Sequence, residues 1–339
     1  MTSQPTLSVV VCTYNGAEKL EFCLAALLRQ QLNVDVLVID DGSTDGTVAI
    51  AQRYEVDIIR HQINQGISVA RNTGLRESST SIVAFCDDDC TPPPDWTEKL
   101  LAAWIESPGA SVIGGLVDVD HPITIAQRYL VFHNPLVPLE IELAHKPSVW
   151  YRVARHFHPP QLRGDHPIPV YSVVGANMSV NRDRALKVGG FNESLIFAEG
   201  EEVALCQILR ARCGEDSVVV DPKVVLAHRF EPTVSGIWRR SYVYGQGAAE
   251  RWTKQGGLPA LPVVSPIAIA GCALVSPFSW PLGLAIGIAI VSAPWVDWLI
   301  QPGSKRDFVS LLFPLISIVD DLASILGFAR GISKRSRRP

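Results

Sequence analysis

Three consecutive carboxylates, Asp87, Asp88 and Asp89, follow the apolar run 82–86 and are the residues of this chain best placed to do chemistry. Adjacent acids repel one another and weaken a fold unless positive charge lies among them. A hard divalent cation carrying a phosphorylated ligand supplies such charge, because these ions take oxygen ligands from carboxylates and phosphates alike. A solvated acidic turn leading into the next helix, with Asp95 as its N-cap, accounts for the same residues without a ligand. The turn Asp40-Asp41-Gly42-Ser43-Thr44-Asp45 poses the same choice between capping and binding.

The elements that must hold these acids alternate along the chain. The run 82–86 is too short and too apolar for a surface helix and reads as a buried strand of a parallel sheet, covered on both faces. Its carboxylates then lie past the carboxyl end of a strand, where ligands bind in open α/β sheets. Residues 7–12 and 34–39 read as two more strands, each followed by a turn and then by a helix, over 18–31 and 47–54. Residues 58–59 give a further short strand and 67–76 another helix, so four β/α units fill the first part of a doubly wound, mostly parallel sheet. No G-x-G-x-x-G follows the first strand, and Gly245-Gln-Gly247 follows an aromatic, basic segment, so the dinucleotide-binding turn is missing.

Composition narrows the partners. Net charge is −4, yet the last ten residues carry five basic groups and no acid, leaving 25 basic against 34 acidic residues before them. That balance argues against nucleic acid for the main domain and for anionic lipid at the tail. The seven cysteines show no CxxC and no framework, as expected of reduced cytosolic thiols. Cys86 and Cys90 flank the acids but lack the spacing of a zinc knuckle. The opening residues lack a basic n-region and 7–12 is too short for a signal core, which keeps the main domain in the cytosol.

The succession Val9-Val-Val-Cys-Thr-Tyr-Asn15, Val38-Ile-Asp-Asp-Gly-Ser-Thr-Asp45, Asn64-x-Gly66 with Ala70-Arg-Asn-x-Gly74, and the Asp87 to Asp89 trio resembles the inverting family 2 glycosyltransferases of GT-A fold. The likeness continues through Gly175-Ala-Asn-Met-Ser-Val180, Gly189-Gly-Phe-Asn-Glu193 and Gly200-Glu-Glu-Val-Ala-Leu205, covering roughly residues 7 to 250. The resemblance implies a nucleoside-diphosphate sugar donor, a Mn²⁺ or Mg²⁺ ion, and a saccharide or lipid-linked acceptor. It assigns Tyr14 and Asp41 to the nucleobase, Arg71 to the diphosphate, Asp88 to sugar or ribose hydroxyls, and Asp87, Asp89 and His228 to the metal. Glu202 falls where such enzymes carry the base that deprotonates the acceptor, although that residue is usually Asp. The departure at Glu202 and the absence of a second acid at Ala204 leave an alternative: a non-catalytic membrane scaffold or nucleotide-sugar sensor of the same fold. A nucleotidyltransferase is disfavoured, since no Gly-rich, Lys-bearing phosphate loop follows the first strand.

Residues 120–170 hold six of the eight histidines and read either as an insertion near the acceptor side, against lipid headgroups, or as an irregular surface loop. From 255 to 296 the chain carries no charge, 42 positions that as helix would extend roughly 63 Å, about twice a bilayer core. Pro277 and Pro281 break that length into a hairpin or re-entrant pair over 258–300. Residues 308–326 are apolar apart from Asp320-Asp321 and either span or lie in the interface. The expected organisation is therefore a catalytic domain over 1–255, with a flexible boundary between 252 and 262, and a membrane-associated region over 256–339. Basic residues at its end place tail and catalytic domain on the cytoplasmic side of the cell membrane.

Overall fold

The computed structural model describes residues 6–139, 162, 164–195, 200–255, 277, 279–285 and 308–335. The chain divides into two compact units, one over Met1–His121, His133–Ile141 and Leu162–Phe230, the other over Pro122–Phe132, Glu142–Gln161 and Glu231–Pro339. The first unit contains β1 (Leu7–Thr13), α1 (Ala17–Leu27), β2 (Asp35–Asp40), α2 (Thr47–Ala51), β3 (Asp57–Arg60), α3 (Ile67–Glu77), β4 (Ile82–Asp87), β5 (Cys90–Thr91), α4 (Trp96–Glu106) and β6 (Val112–Val119). After α5 (Ile125–Phe132), which belongs to the second unit, it resumes with β7 (Ile168–Pro169), β8 (Asn177–Asn181), α6 (Arg182–Lys187), α7 (Glu201–Cys213) and β9 (Val218–His228). The second unit also holds α8 (Val234–Gln255) and α9 (Phe313–Arg335).

One sheet runs in the order β3-β2-β1-β4-β8-β6-β9-β5, with β7 on β9. Its first four strands are parallel, as the alternation of strand and helix requires. Beyond β4 the expected parallel pattern gives way to a mixed one, because β8 runs antiparallel to both β4 and β6. The alternation of strand and helix that aligns the first four strands does not carry on to β8, which the two-residue β7 precedes among the described elements. Every residue of β1 is buried. Val9 and Val11 join one core with Leu20, Leu24 and Trp96, while Val10 and Cys12 join another with Leu75 and Phe85. The period of two thus fills both faces, each large aliphatic side chain contributing about 1.5–3 kcal/mol on burial.

Chain order reverses beside β1: β2 and β3 lie to one side, β4 to the other. A crevice forms at such a switch point outside the carboxyl ends of the strands. Register aligns Thr13 with Asp40 and Cys12 with Asp87, so the ends of β1, β2 and β4 are level.

In the second unit α8 and α9 pack at close range. A Cβ on Gly245 would collide with the Ser324 carbonyl, and one on Gly327 with the Tyr242 carbonyl, so the missing side chains set the spacing. Asp320 of α9 is buried and accepts hydrogen bonds from Tyr129 Oη of α5 at 3.0 Å and from Ser241 Oγ of α8. The expected boundary at 255 coincides with the last residue of α8, whereas α8 itself groups with the C-terminal part of the chain. The reason is that its apolar face is completed by α9, far along the chain. The expected C-terminal membrane helices are not found: among the described residues no helix is long and apolar enough to cross a membrane. Most of the expected hairpin over 258–300 lies outside the described residues.

Candidate active site

The three carboxylates leave β4 in three directions, because successive residues at a strand end face different neighbours. Asp87 keeps its register against β1 and accepts from Arg71 Nη2 at 3.2 Å. Asp88 accepts from Thr13 Oγ1 at 2.6 Å and passes so near Gly16 that any Cβ there would collide with its carboxylate. Asp89 accepts from Lys19 Nζ at 2.9 Å and pairs with His228 Nε2 at 3.0 Å. Lys19 reaches it from the first turn of α1, and His228 from the end of β9, where it pairs with Cys90 of β5.

Protonation follows these partners. Burial raises Asp87, opposed by Arg71. Burial, then the Asp89 charge, pushes Asp88 up to about 7. Burial would raise Asp89 as well, but His228 and Lys19 outweigh it and hold the carboxyl well below the usual range. Burial would lower His228, and Asp89 reverses the sign and raises it. The site thus holds an acid that stays ionised beside one that is half-protonated near neutrality.

Among the described residues, the group whose ligand atoms all lie within 4.8 Å of one another is Asp89, Cys90 and His228. The donor set fits a divalent cation: a carboxylate and an imidazole converge, and His228 Nδ1 is buried without a hydrogen-bond partner. Of the expected ligands Asp87, Asp89 and His228, the structure brings the last two together. Asp87 is turned toward Arg71 and stays outside that set, its side chain 34% exposed. Cys90, set aside in sequence for its spacing, is drawn in by the β5 and β9 pairing.

Arg71, expected at the diphosphate, is held inside the fold by two carboxylates. Its side chain is buried, donates to Glu201 Oε1 at 2.7 Å as well as to Asp87, and stacks near Phe85 and Phe191. Burial would lower its pKa, but Glu201, Asp87 and Glu202 raise it, so the guanidinium remains charged. A Cβ on Gly175 would stand 2.6 Å from Nη2, which explains the glycine of that block as clearance for Arg71. The neighbouring Asn72 accepts from the Phe191 amide at 2.8 Å and donates to the Phe191 carbonyl at 2.9 Å. Two consecutive residues therefore tie α3 to the three downstream blocks.

Asp41 is likewise turned inward. It is buried, pairs with His61 Nδ1 at 2.7 Å, and accepts from the Gln65 and Gly66 amides at 3.0 and 2.8 Å. Gly66 has φ of 95°, a conformation open to glycine, and this geometry aims its amide at Asp41. The carboxylate expected at the nucleobase thus braces the loop that leads into α3. Tyr14 stands 49% exposed at the end of β1, next to Asn15 with φ of 51°. Glu202 lies in the first turn of α7, half-buried and close enough to Arg71 to affect its charge. Lys19, His61 and the bracing role of Glu201 escape sequence reading. Lys19 alone left a trace, as a cation in the first helical turn after the strand beside β4.

Residues 8–168 match the family model described as Glycosyl transferase family 2. Glycosyltransferase AglE of Haloferax volcanii is 39% identical over 145 residues, 40% of this chain and 47% of that protein. Pre-mycofactocin glycosyltransferase of Mycobacterium tuberculosis is 27% identical over 84% of this chain and 54% of its own length. The chain therefore spans about half the length of these two relatives. Glucosyl-dolichyl phosphate glucuronosyltransferase of Haloferax volcanii is 26% identical over 72% of this chain and 76% of its own. The mannosyltransferase PcManGT of Pyrobaculum calidifontis, solved with GDP-Man and Mn²⁺, shares the fold at TM-score 0.54 and 18% identity, over 98% of this chain and 89% of that one. GalNAc-T7, solved with UDP, GalNAc and Mn²⁺, does so at 0.52 and 14%, over 77% and 53%.

Proposed function

We propose that this chain is a metal-dependent inverting glycosyltransferase, moving a sugar from a nucleoside-diphosphate sugar to a hydroxyl of a lipid-linked or cell-envelope acceptor at the cytoplasmic face of a membrane. The observation that carries this reading is the convergence of Asp89, His228 and Lys19 beside the ends of the parallel strands, in a chain whose residues 8–168 match the family 2 model. Asp89 and His228 would hold the ion, with Asp87 on the accessible side. A mixed carboxylate and imidazole set favours Mn²⁺ over Mg²⁺, which prefers oxygen throughout. When bound, the ion would stabilise charge on the departing diphosphate. Lys19, 53% exposed, is placed to meet a phosphate oxygen while still touching Asp89. Tyr14 offers a ring face to the nucleobase, and Asp88 a hydrogen bond to a sugar or ribose hydroxyl.

Inversion needs one displacement and one base. Glu202 would accept the acceptor hydroxyl proton from its place at the amino end of α7, close to the Arg71 charge. Arg71 acts through others: it fixes Asp87 and Glu201 in one arrangement. The membrane and lipid-linked parts rest on the uncharged stretch 255–296, the basic tail, and a relative whose name specifies a dolichyl phosphate.

Titration with a panel of nucleotide sugars tests the reading. Binding of at least one donor that is strengthened by Mn²⁺ and lost in EDTA is expected; no donor binding by folded protein would sink it. Glu202→Gln should abolish transfer and keep donor binding. Donor binding without turnover in the parent protein would favour the sensor or scaffold instead.

A further inference from the structure

We propose that α9 docks the protein on an anionic membrane surface, lying in the headgroup plane with Leu315, Ile318, Leu322 and Leu326 turned into the lipid. These four side chains are 61%, 37%, 43% and 45% exposed, and their spacing of three and four residues puts them on one face. The opposite face is fixed against the rest of its unit. Phe313 and Ala323 are buried there, Asp320 accepts from Tyr129 and Ser241, and Gly327 meets the Tyr242 backbone. Those polar bonds prevent the helix from rolling its leucine stripe inward.

Charge identifies the occupant. Directly after the stripe, residues 330–339 carry five basic groups and no acid. An apolar face followed by a basic cluster suits a surface that is apolar below and anionic above, which is a leaflet containing anionic lipid. Asp320 and Asp321, both buried at mid-helix, make a crossing by this helix costly and leave the interfacial position as the one that satisfies every group. The inference deepens the membrane part of the reading above, and its test does not involve donor or turnover.

Full-length protein is floated on a density gradient with vesicles of phosphatidylcholine, with or without about one-third phosphatidylglycerol. Flotation with the anionic vesicles is expected, falling about tenfold on neutral vesicles or in high salt. Leu315→Glu with Leu322→Glu, both at exposed positions, should lower it about tenfold while the thermal melt stays unchanged. Arg330→Glu with Lys334→Glu should remove the preference for anionic lipid. Undiminished flotation of both variants would overturn the proposal, since the 255–296 stretch would then anchor the chain alone. So would a stripe variant that changes oligomeric state and leaves flotation intact, because a second copy would then be what covers the face. Donor titration of the same samples reports separately on the glycosyltransferase reading.

Discussion

Two runs of adjacent acids, the half-buried Asp87 to Asp89 and the buried Asp320-Asp321, are held by different means. Asp87 and Asp89 meet cations, Arg71 facing the first and Lys19 and His228 the second, while Asp88 between them accepts from the Thr13 hydroxyl. Asp320 meets neutral hydroxyls, those of Tyr129 and Ser241, in a packed helical unit. Cation partners leave a site that can exchange one positive charge for another, as when an ion and a phosphorylated ligand arrive. Hydroxyl partners instead lock a carboxylate in place and tie three helices together. Adjacency of acids in sequence is the same in both; what differs is the charge of the groups that the fold brings to them.

The comparison breaks most sharply at Arg71. Its replacement by Met would leave Glu201 and Asp87 without their buried counterion, at a cost of about 3–5 kcal/mol. Urea unfolding should show that loss, and a loss under about 1 kcal/mol would mean the guanidinium is not the brace described. Next comes Asp89→Asn, expected to weaken Mn²⁺-dependent nucleotide binding about a hundredfold, or ~2.7 kcal/mol, by calorimetry. The matching change in the other region, Asp320→Asn, should cost about 1–3 kcal/mol of stability and leave donor affinity unchanged. If it were Asp320→Asn that lost nucleotide, the two acidic runs would have exchanged roles.

The smallest effect concerns pH. Asp88 is raised to about 7, chiefly by burial, so the folded protein holds a proton there that the unfolded chain releases above about pH 4. Its contribution to stability is therefore greatest below pH 4 and is lost as pH rises through 7. In EDTA, Asp88→Asn should melt a few degrees above the parent protein at pH 8 and level with it at pH 4. A constant difference across that range would assign the effect to packing instead of charge.

Local pattern made much of the fold legible. The β-branched run of β1, the apolar run of β4 and the helix period of α3 announce themselves because each depends on neighbours within a few residues. The same holds for the position of the three acids at a strand end. What the pattern missed are directions and distant partners. Asp41 and Arg71 were expected at the nucleobase and the diphosphate, and the fold also gives them His61, Gly66 and Glu201 as partners, which no local pattern shows. The antiparallel course of β8 was equally hidden, since strand direction is set by the path of the connection.

By itself the sequence determined the first four strands, which of their neighbours are amphipathic helices, and that acids gather where a strand ends, because propensity and periodicity are short-range properties. Tertiary structure decided which of those acids meets Lys19, which meets Arg71, and that α8 is completed by α9, a distant segment of the chain. Pairing between residues 19 and 89, 71 and 201, or 241 and 320 leaves no periodic trace along the chain. Such pairs exist only once the backbone has closed the distance, and their charges then fix which groups stay ionised.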